Sequence, residues 1–164
     1  MKIEVRKFKE NEVGLLSSLW QFYAYHQSTF NGDSVSEKGL FDIDDDYLAD
    51  VVQGIEDCEA WLICVDNAVA GFVTLESTEI AGREMPELSD IFVLPKYRNL
   101  GIATFVIDKL LLNSGNEWHV AVYNEDRTAY DFWLHLFAKL PIKSVEELSP
   151  PENDEFHEFV IQNS

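Results

Sequence analysis

A short stretch near the middle of the chain places two cations and a glycine where an apolar strand pattern changes to a helical one. It reads VLPKYRNLGIATF over residues 93–105 and contains Lys96, Arg98 and Gly101 but no acid, although the formal net charge of the chain is −18 at pH 7. A helix N-terminus presents unpaired backbone N–H groups and about half a positive charge. Glycine lets an anion approach that backbone closely, and arginine adds a charged fork. The stretch therefore predicts an anion site, although a cap, a tight turn or close packing would explain the glycine alone.

The same stretch resembles the pyrophosphate loop of a known enzyme superfamily. Residues 98–103 read Arg-Asn-Leu-Gly-Ile-Ala, and the loop of the GNAT N-acetyltransferase superfamily has the pattern Arg/Gln-x-x-Gly-x-Gly/Ala between a strand and a helix. The likeness is best over residues 86–137. It implies acetyl-CoA (coenzyme A) as the cofactor, with its pantetheine arm between splayed strands at residues 87–94 and 117–123. The cofactor-binding residues that it implies are Ile91, Phe92, Val93, Arg98, Asn99, Leu100, Gly101, Ile102, Ala103, Asp126 and Trp133.

Two acids on the strand ahead of the loop are candidates for the base of an acetyl transfer. Such a reaction needs an amine that loses a proton, a stabilised thioester oxygen and a protonated leaving thiolate. By the resemblance, Glu87 matches the glutamate base of the histone-acetylating branch, and Asp90 matches an acid of the spermidine/spermine N-acetyltransferases. Strand alternation predicts that these two side chains point to opposite faces, so that one of them serves. The resemblance also implies that backbone N–H groups of residues 92–94 stabilise the oxygen.

The residue expected to protonate the leaving thiolate differs from the family pattern. That pattern is V-x-x-x-N-x-x-A-x-x-x-Y and ends in a tyrosine near the sulfur. Val122 and Ala129 fit it, whereas Asp126 replaces the asparagine and Trp133 replaces the tyrosine. An indole N–H does not titrate as a useful acid. Tyr130, one helical turn earlier, is a candidate substitute; a water molecule is the alternative acid, and core packing would equally explain an aromatic residue at that position.

An aromatic stretch, LWQFYAYHQSTF over residues 19–30, precedes a strongly acidic segment. Core packing at helical spacing explains most of its rings. The resemblance adds an alternative, one wall of an acceptor pocket, with Tyr25, His26 and Phe30 as its exposed members. Residues 31–60 contain ten acids and one base, and aromatic rings attract cations. The expected acceptor is therefore a small cationic amine, such as a polyamine, an aminoglycoside, or a lysine or N-terminal amine of a peptide.

The composition suits one folded domain over residues 1–164, because 46% of the residues are hydrophobic. Thirty acids oppose twelve bases, which argues against nucleic-acid and anionic-membrane partners. No apolar run reaches the roughly 20 residues that cross a bilayer, and we identify no secretory signal. Two cysteines without a histidine cluster favour reduced thiols, a cytoplasmic location and no metal site. His119 is expected to be a structural strand histidine.

Hydrophobic periodicity predicts the element order β-α-α-β-β-β-α-β-α-β-β. This order predicts an α/β protein with a mixed (α+β) sheet of about seven strands and helices on both faces, as in the GNAT-like acyl-CoA N-acyltransferase fold. The strands before and after the helix at residues 102–113 should be parallel, with a right-handed crossover. The predicted strands are residues 2–9, 59–65, 68–76, 87–94, 117–123, 142–148 and 156–162; the predicted helices are one capped by Asn11 and ending before a loop at 28–39, then 44–55, 102–113 and 126–140.

Three functions stay open from the sequence. The leading one is an acetyl-CoA-dependent N-acetyltransferase that transfers directly to an amine without an acyl-enzyme. The second, which Asp126 and Trp133 favour, is a CoA-binding domain that has lost catalysis and regulates or binds partners. The third is an interaction domain without a ligand, whose acidic faces bind a basic protein. The sequence does not decide between acetyl and longer acyl groups, nor between a monomer and the homodimer that family members often form through late strands.

Overall fold

The computed structural model describes all 164 residues and contains a seven-stranded mixed sheet and four α-helices. The strand order in the sheet is β1-β2-β3-β4-β5-β7-β6. The predicted order of elements along the chain is confirmed. The strands are β1 (Ile3–Lys7), β2 (Glu59–Val65), β3 (Ala68–Ile80), β4 (Arg83–Val93), β5 (Glu117–Tyr123), β6 (Ile142–Glu147) and β7 (Phe156–Asn163); the helices are α1 (Val13–Asn31), α2 (Asp45–Gln53), α3 (Ile102–Leu110) and α4 (Arg127–Lys139).

Strand pairing in the second half of the chain sets the positions of several polar side chains. β4 and β5 are parallel, as predicted, with Glu87 opposite His119. β5 and β7 are antiparallel, with His119 opposite Val160 and Ala121 opposite Glu158. Because side chains two residues apart share a face of a sheet, His119 and Glu158 are diagonal neighbours on one face.

Two tight turns connect the long central strands. Asp66 and Asn67 join β2 to β3 and have φ values of 49° and 68°, as the predicted two-residue hairpin requires. Ala81 and Gly82 join β3 to β4 with φ values of 52° and 78°. This second hairpin was not predicted, since alanine is an unusual residue for a left-handed turn position. As a result β3 extends four residues beyond its predicted end, and β4 begins four residues earlier.

The ends of two helices differ from the prediction. Asn11 is not a helix cap: it lies inside a 3₁₀ turn, Glu10–Glu12, that precedes α1. α1 also continues for one turn into the predicted loop, to Asn31, and ends at Gly32, whose N–H donates to Ser28 O at 3.1 Å. α3 stops three residues early, and the Asn163 side chain of β7 donates to the Leu111 carbonyl just beyond its end at 2.9 Å.

The chain divides into two compact units, the first formed by residues 1–74 and 90–97. α1 and α2 pack on the strands of this unit around fully buried apolar side chains, among them Leu16, Leu48 and Phe72. The Trp20 ring stacks on Phe72 with 5.0 Å between centroids. The aromatic stretch therefore contributes heavily to a core, as its helical spacing suggested.

The second unit comprises residues 75–89 and 98–164. Its core is centred on the fully buried Trp118, and the Phe137 ring lies 6.4 Å from Trp118 and 5.3 Å from Phe159. The assignment of residues 1–164 to one domain stays a prediction. None of the four helices has the length and apolar character that a membrane crossing requires.

An ion pair joins β1 to the turn that begins α1. Arg6 Nη1 and Nη2 donate to the two carboxylate oxygens of Glu12 at 2.8 and 2.9 Å, and the Lys9 N–H donates to Oε1 at 2.8 Å. These hydrogen bonds lower the pKa of Glu12 from 4.5 to about 2. Because the folded-state pKa is depressed, the stabilisation is present above about pH 4.5 and is lost as the pH falls towards 2.

We expect Glu12→Gln to lower the free energy of unfolding by about 1 kcal/mol at pH 7, as for a well-aligned surface pair. Urea unfolding should be measured at pH 7 and at about pH 2.5, close to the folded-state pKa of Glu12. The difference in unfolding free energy between the wild type and the variant should be smaller at the acid pH. Glu10→Gln, an exposed acid in the same 3₁₀ turn, is the control and should change little. An equal loss at both pH values would contradict the assignment of the pair.

Candidate functional site

The predicted anion site is an exposed loop that leads into the N-terminus of α3. Arg98, Asn99, Leu100 and Gly101 are all exposed, and Asn99 and Gly101 have left-handed φ values of 62° and 78°. The first hydrogen bond of α3 joins the Phe105 N–H to Gly101 O at 3.1 Å. The N–H groups of residues 102–104 therefore have no acceptor within the helix, as at any helix start.

This loop suits a diphosphate. A Cβ added at Gly101 would find no other atom within 4 Å, so ligand atoms have room beside the backbone. The donors are amide N–H groups and a guanidinium, the groups that proteins commonly use for phosphate oxygens. Ile102 is buried and anchors the helix start, while Ala103 is half-buried and small. The donor set and the open backbone together fit the diphosphate of coenzyme A.

The backbone at the end of β4 is held firmly by β3. The Phe92 side chain is buried, and its ring lies 5.8 Å from Tyr23 and 6.1 Å from Phe72. The Leu94 N–H donates to Ala70 O at 2.8 Å. Leu94 is therefore wrong as an oxyanion donor, because its N–H already has an acceptor. Phe92 and Val93 stay predicted donors, and Ile91 stays a predicted cofactor contact.

Glu87 lies at the edge of a buried polar cluster on β4, β5 and β7. Its Oε1 is 3.1 Å from His119 Nδ1, and His119 Nε2 is 2.9 Å from Glu158 Oε1. The second oxygen of Glu158 accepts the Asn153 N–H at 2.8 Å. The side chains of His119 and Glu158 are only 3% and 6% exposed, whereas that of Glu87 is 23% exposed. Glu87 is thus the member of the cluster that reaches solvent.

Asp90 is surrounded by hydroxyl groups in the first unit. Tyr23 O–H donates to Asp90 Oδ1 and Thr74 O–H donates to Oδ2, both at 2.7 Å. Gln27 Nε2 in turn donates to the Tyr23 oxygen at 2.7 Å. Both carboxylate oxygens of Asp90 therefore accept hydrogen bonds from side chains that join α1 and β3 to β4. This arrangement is typical of a structural carboxylate.

Tyr130 donates its hydroxyl hydrogen to Glu147 Oε1 at 2.9 Å. This hydrogen bond, with a smaller contribution from burial, raises the pKa of Tyr130. The ring also lies 4.5 Å from the His157 ring, and the Arg127 guanidinium carbon is 5.6 Å from the Tyr130 ring centroid. The hydrogen bond to Glu147 occupies the hydroxyl proton that Tyr130 would donate as the predicted acid.

The two departures from the family pattern on α4 both have structural roles. Asp126 caps the helix, since its Oδ1 accepts the Ala129 N–H at 3.0 Å. Trp133 is 5% exposed and lies in an aromatic cluster, with its ring 5.7 Å from Phe137 and 6.5 Å from Trp118. Their assignment to cofactor binding stays a prediction.

The predicted acceptor residues lie on α1. Tyr25 is 73% exposed, His26 is exposed and Phe30 is half-buried. The His26 and Phe30 rings are one helical turn apart and contact each other edge to face, with centroids 5.7 Å apart. His26 and Phe30 therefore form a pair of contacting rings, whereas the Tyr25 side chain is exposed to solvent.

Several residues of these polar clusters carry little signal in the sequence. His119 was expected to be structural, and Glu158, Tyr23 and Thr74 were not singled out. Glu158 is 39 residues from His119, and only the register of two antiparallel strands brings them together. The one available signal was an ionisable residue at an inward position of an otherwise apolar strand, as in EWHVAVY and FHEFVIQ.

Comparison with known proteins identifies the family. Residues 19–137 match the family model described as acetyltransferase (GNAT) family. A search of curated proteins finds no match. Among solved structures, an acetyltransferase from Thermus thermophilus is 11% identical, with a TM-score of 0.67, over 98% of this chain and 96% of that chain.

Two other solved structures share the fold and were determined with ligands. The PaiA N-acetyltransferase from Thermoplasma acidophilum, in complex with coenzyme A, is 16% identical with a TM-score of 0.59 over 99% of each chain. Arabidopsis thaliana Naa50, in complex with the bisubstrate analogue CoA-Ac-MVNAL, is 15% identical with a TM-score of 0.60 over 98% of each chain. The family model covers well over half of the chain, and the family uses acetyl-CoA. The chain therefore belongs to the GNAT family of acetyltransferases, with acetyl-CoA as its acetyl donor.

Proposed function

We propose that this protein transfers the acetyl group of acetyl-CoA directly to the amine of a small, cationic acceptor. The observation that carries the proposal is Glu87, a partly exposed carboxylate with one oxygen held by a buried histidine. Acetyl-CoA supplies an activated thioester when bound. Glu87 accepts a proton from the acceptor ammonium, directly or through water. The amine nitrogen then bonds to the acetyl carbon as the C–S bond breaks, one proton passes to sulfur and one returns to solvent.

Glu87 is a better base than Asp90 on geometric grounds. Hydroxyl groups at 2.7 Å already donate to both oxygens of Asp90, and these bonds stabilise its ionised form and make it a weaker base. On Glu87, His119 contacts Oε1, and the partial exposure of the side chain gives an amine or a water access to the carboxylate. A general base must come within hydrogen-bond reach of the proton that it removes.

Water is the acid that we propose for the leaving thiolate. Tyr130 donates to Glu147, and its raised pKa makes it a weaker acid. Tyr130 would serve only if that hydrogen bond opened. Trp133, at the position of the usual family tyrosine, is buried among aromatic rings. The proposed reaction therefore depends on the base and on positioning more than on a protein acid.

The preference for a cationic acceptor rests on the first unit. The loop at residues 32–44 follows the rings of Tyr25, His26 and Phe30, is mostly exposed, and contributes four acids and one base. Aromatic faces and carboxylates both favour an ammonium group. The bisubstrate analogue bound to the Arabidopsis protein is CoA-Ac-MVNAL, and MVNAL reads as a peptide sequence. A peptide amine therefore stays among the acceptors to be tested. The acceptor pocket itself, a homodimer and a cytoplasmic location stay predictions.

A free-thiol assay tests the proposed function. Acetyl-CoA should release thiol only when an amine acceptor is added, and the rate should rise with pH as amine and base lose their protons. The panel should contain polyamines, aminoglycosides, amino acids and peptides, with uncharged amines for comparison. Release with neutral amines alone would contradict the cationic preference.

A CoA-binding domain with impaired catalysis is the second candidate function. The observation that favours it is the buried Trp133 in place of the tyrosine that the family pattern has. It predicts binding of CoA without turnover on any amine of the panel. The thiol assay combined with a CoA titration therefore separates the two functions.

Arg98→Glu should weaken CoA binding about 10- to 100-fold, because a charge-assisted hydrogen bond to phosphate becomes a repulsion. Lys38→Glu is the matched control: it makes the same change of charge at an exposed lysine in the loop between α1 and α2. Isothermal titration with CoA at low and high salt measures both variants. Equal weakening by the two substitutions would show that the α3 loop does not hold the diphosphate.

A further inference from the structure

The buried cluster behind Glu87 has a defined proton arrangement. One oxygen of Glu158 lies 2.9 Å from His119 Nε2, and the other accepts the Asn153 N–H at 2.8 Å. An ionised carboxylate only accepts hydrogen bonds, so Nε2 carries a hydrogen that points at Glu158. One titratable proton then lies between His119 Nδ1 and Glu87 Oε1, which are 3.1 Å apart.

The charges around the ring favour the imidazolium. Burial lowers the pKa of His119, but the hydrogen bond and charge of Glu87 and the charge of Glu158 outweigh burial, so the pKa is raised. The charged groups that face the ring come from β4 (Glu87) and β7 (Glu158). On its own strand, Glu117 is paired with Arg83 at 2.9 Å. α4 packs against Trp118. Because adjacent residues of a strand point to opposite faces, α4 lies on the other side of β5 from the His119 ring.

We propose that His119, held by Glu158, is a positioning residue that fixes Glu87 Oε1 through a doubly protonated ring and leaves Oε2 of Glu87 to receive the proton of the acceptor amine. A cationic ring on the buried side attracts Oε1 and holds the carboxylate in one orientation. The fixed oxygen also limits rotation of a long side chain, and misplacement of a reacting group by about 1 Å can cost 10²-fold in rate. The role of the cluster in catalysis rests on the proposed function; its proton arrangement does not.

The protonation state is measurable without activity. In ¹⁵N-histidine NMR of the whole protein, we expect the doubly protonated His119 ring to lose a proton at a higher pH than an ordinary imidazole, which does so near pH 6.5. Glu158→Gln removes a negative charge and should lower the pH at which His119 loses its proton. A neutral His119 ring at pH 7 in the wild type would overturn the proposal.

The kinetic test compares His119→Gln with His135→Gln. The glutamine at 119 keeps one N–H donor but carries no charge; His135 is an exposed residue of α4 whose Nδ1 contacts Asp131 O. We expect His119→Gln to lower kcat about 10- to 100-fold and to move the acid limb of the pH profile to higher pH, with the KM for acetyl-CoA unchanged. His135→Gln should match the wild type.

The outcomes separate this inference from the proposed function. An unchanged acid limb in a folded His119→Gln protein would overturn the positioning role, because a purely structural histidine would change amplitude and not pH dependence. If His119→Gln does not fold, Glu158→Gln should move the same limb in the same direction, and an unmoved limb there would equally overturn the role. If the wild type acetylates no amine, the proposed function fails while the NMR titration still decides the proton arrangement.

Discussion

Glu87→Gln should lower kcat for amine acetylation about 10²- to 10⁴-fold, the contribution that a positioned general base commonly makes. Glutamine has the same size and can still contact His119, but its amide cannot accept the ammonium proton. The rise of rate with pH should persist in the variant, because the residual reaction depends on amine that solution has already deprotonated and this fraction grows with pH. Steady-state kinetics from about pH 6 to pH 9, a range that covers the titration of an ordinary imidazole and of an α-amino group, measure both effects.

Two comparisons make this prediction specific. Glu84→Gln changes an exposed acid on the same strand and should leave kcat close to that of the wild type. Asp90→Asn removes the acceptor of two hydroxyl hydrogen bonds and should act mainly on stability. A large loss of kcat in folded Asp90→Asn together with an active Glu87→Gln would reassign the base to Asp90.

Gly71→Ala should destabilise the fold by about 3 kcal/mol or more, at the upper end of overpacking effects. A Cβ on Gly71 would overlap the Phe92 carbonyl oxygen and lie 3.0 Å from Val93 Cα. These are backbone atoms of β4, and they cannot move away without straining the hydrogen bond from the Leu94 N–H to Ala70 O. Urea unfolding followed by circular dichroism measures the loss.

Gly14→Ala is the control with the opposite expected sign. Gly14 lies in the first turn of α1, and an added Cβ there has nothing within 4 Å. Alanine in a helix is favoured over glycine by up to about 1 kcal/mol, so the variant should be as stable as the wild type or more so. Equal stability of Gly71→Ala and Gly14→Ala would show that the end of β4 yields to the extra methyl group.

Much of the fold could be predicted because its elements carry strong local signals. β2 and β5 were predicted to the residue, since EAWLICV and EWHVAVY are compact apolar strands bounded by polar residues. The Asp66-Asn67 turn has residues that tolerate left-handed backbone. The Ala81-Gly82 turn has a weaker signal, and the acids Glu76 and Glu79 interrupt the apolar pattern of β3, so the long hairpin was missed.

The candidate site was predictable only where its residues are close in sequence. The loop at residues 98–103 is continuous, so its pattern indicates an anion site by itself. The Glu87–His119–Glu158 cluster depends on strand register, and the Asp90–Tyr23–Thr74 cluster depends on how α1 packs. Neither arrangement follows from periodicity, because periodicity indicates which face a side chain occupies and not which distant residue it meets.

The first turn of α2 limits how the acidity of the chain can be dissected. Asp44 caps that helix by accepting the Tyr47 N–H at 3.0 Å, and Asp45 and Asp46 lie beside the positive end of its dipole. Neutralising this run would destabilise the start of the helix while removing charge, so its effect on an acceptor would be mixed with a structural one. To test whether the acidic surface attracts a cationic acceptor, acids should therefore be replaced at exposed loop positions such as Asp33 and Glu37. Their carboxylates do not lie at the start of a helix.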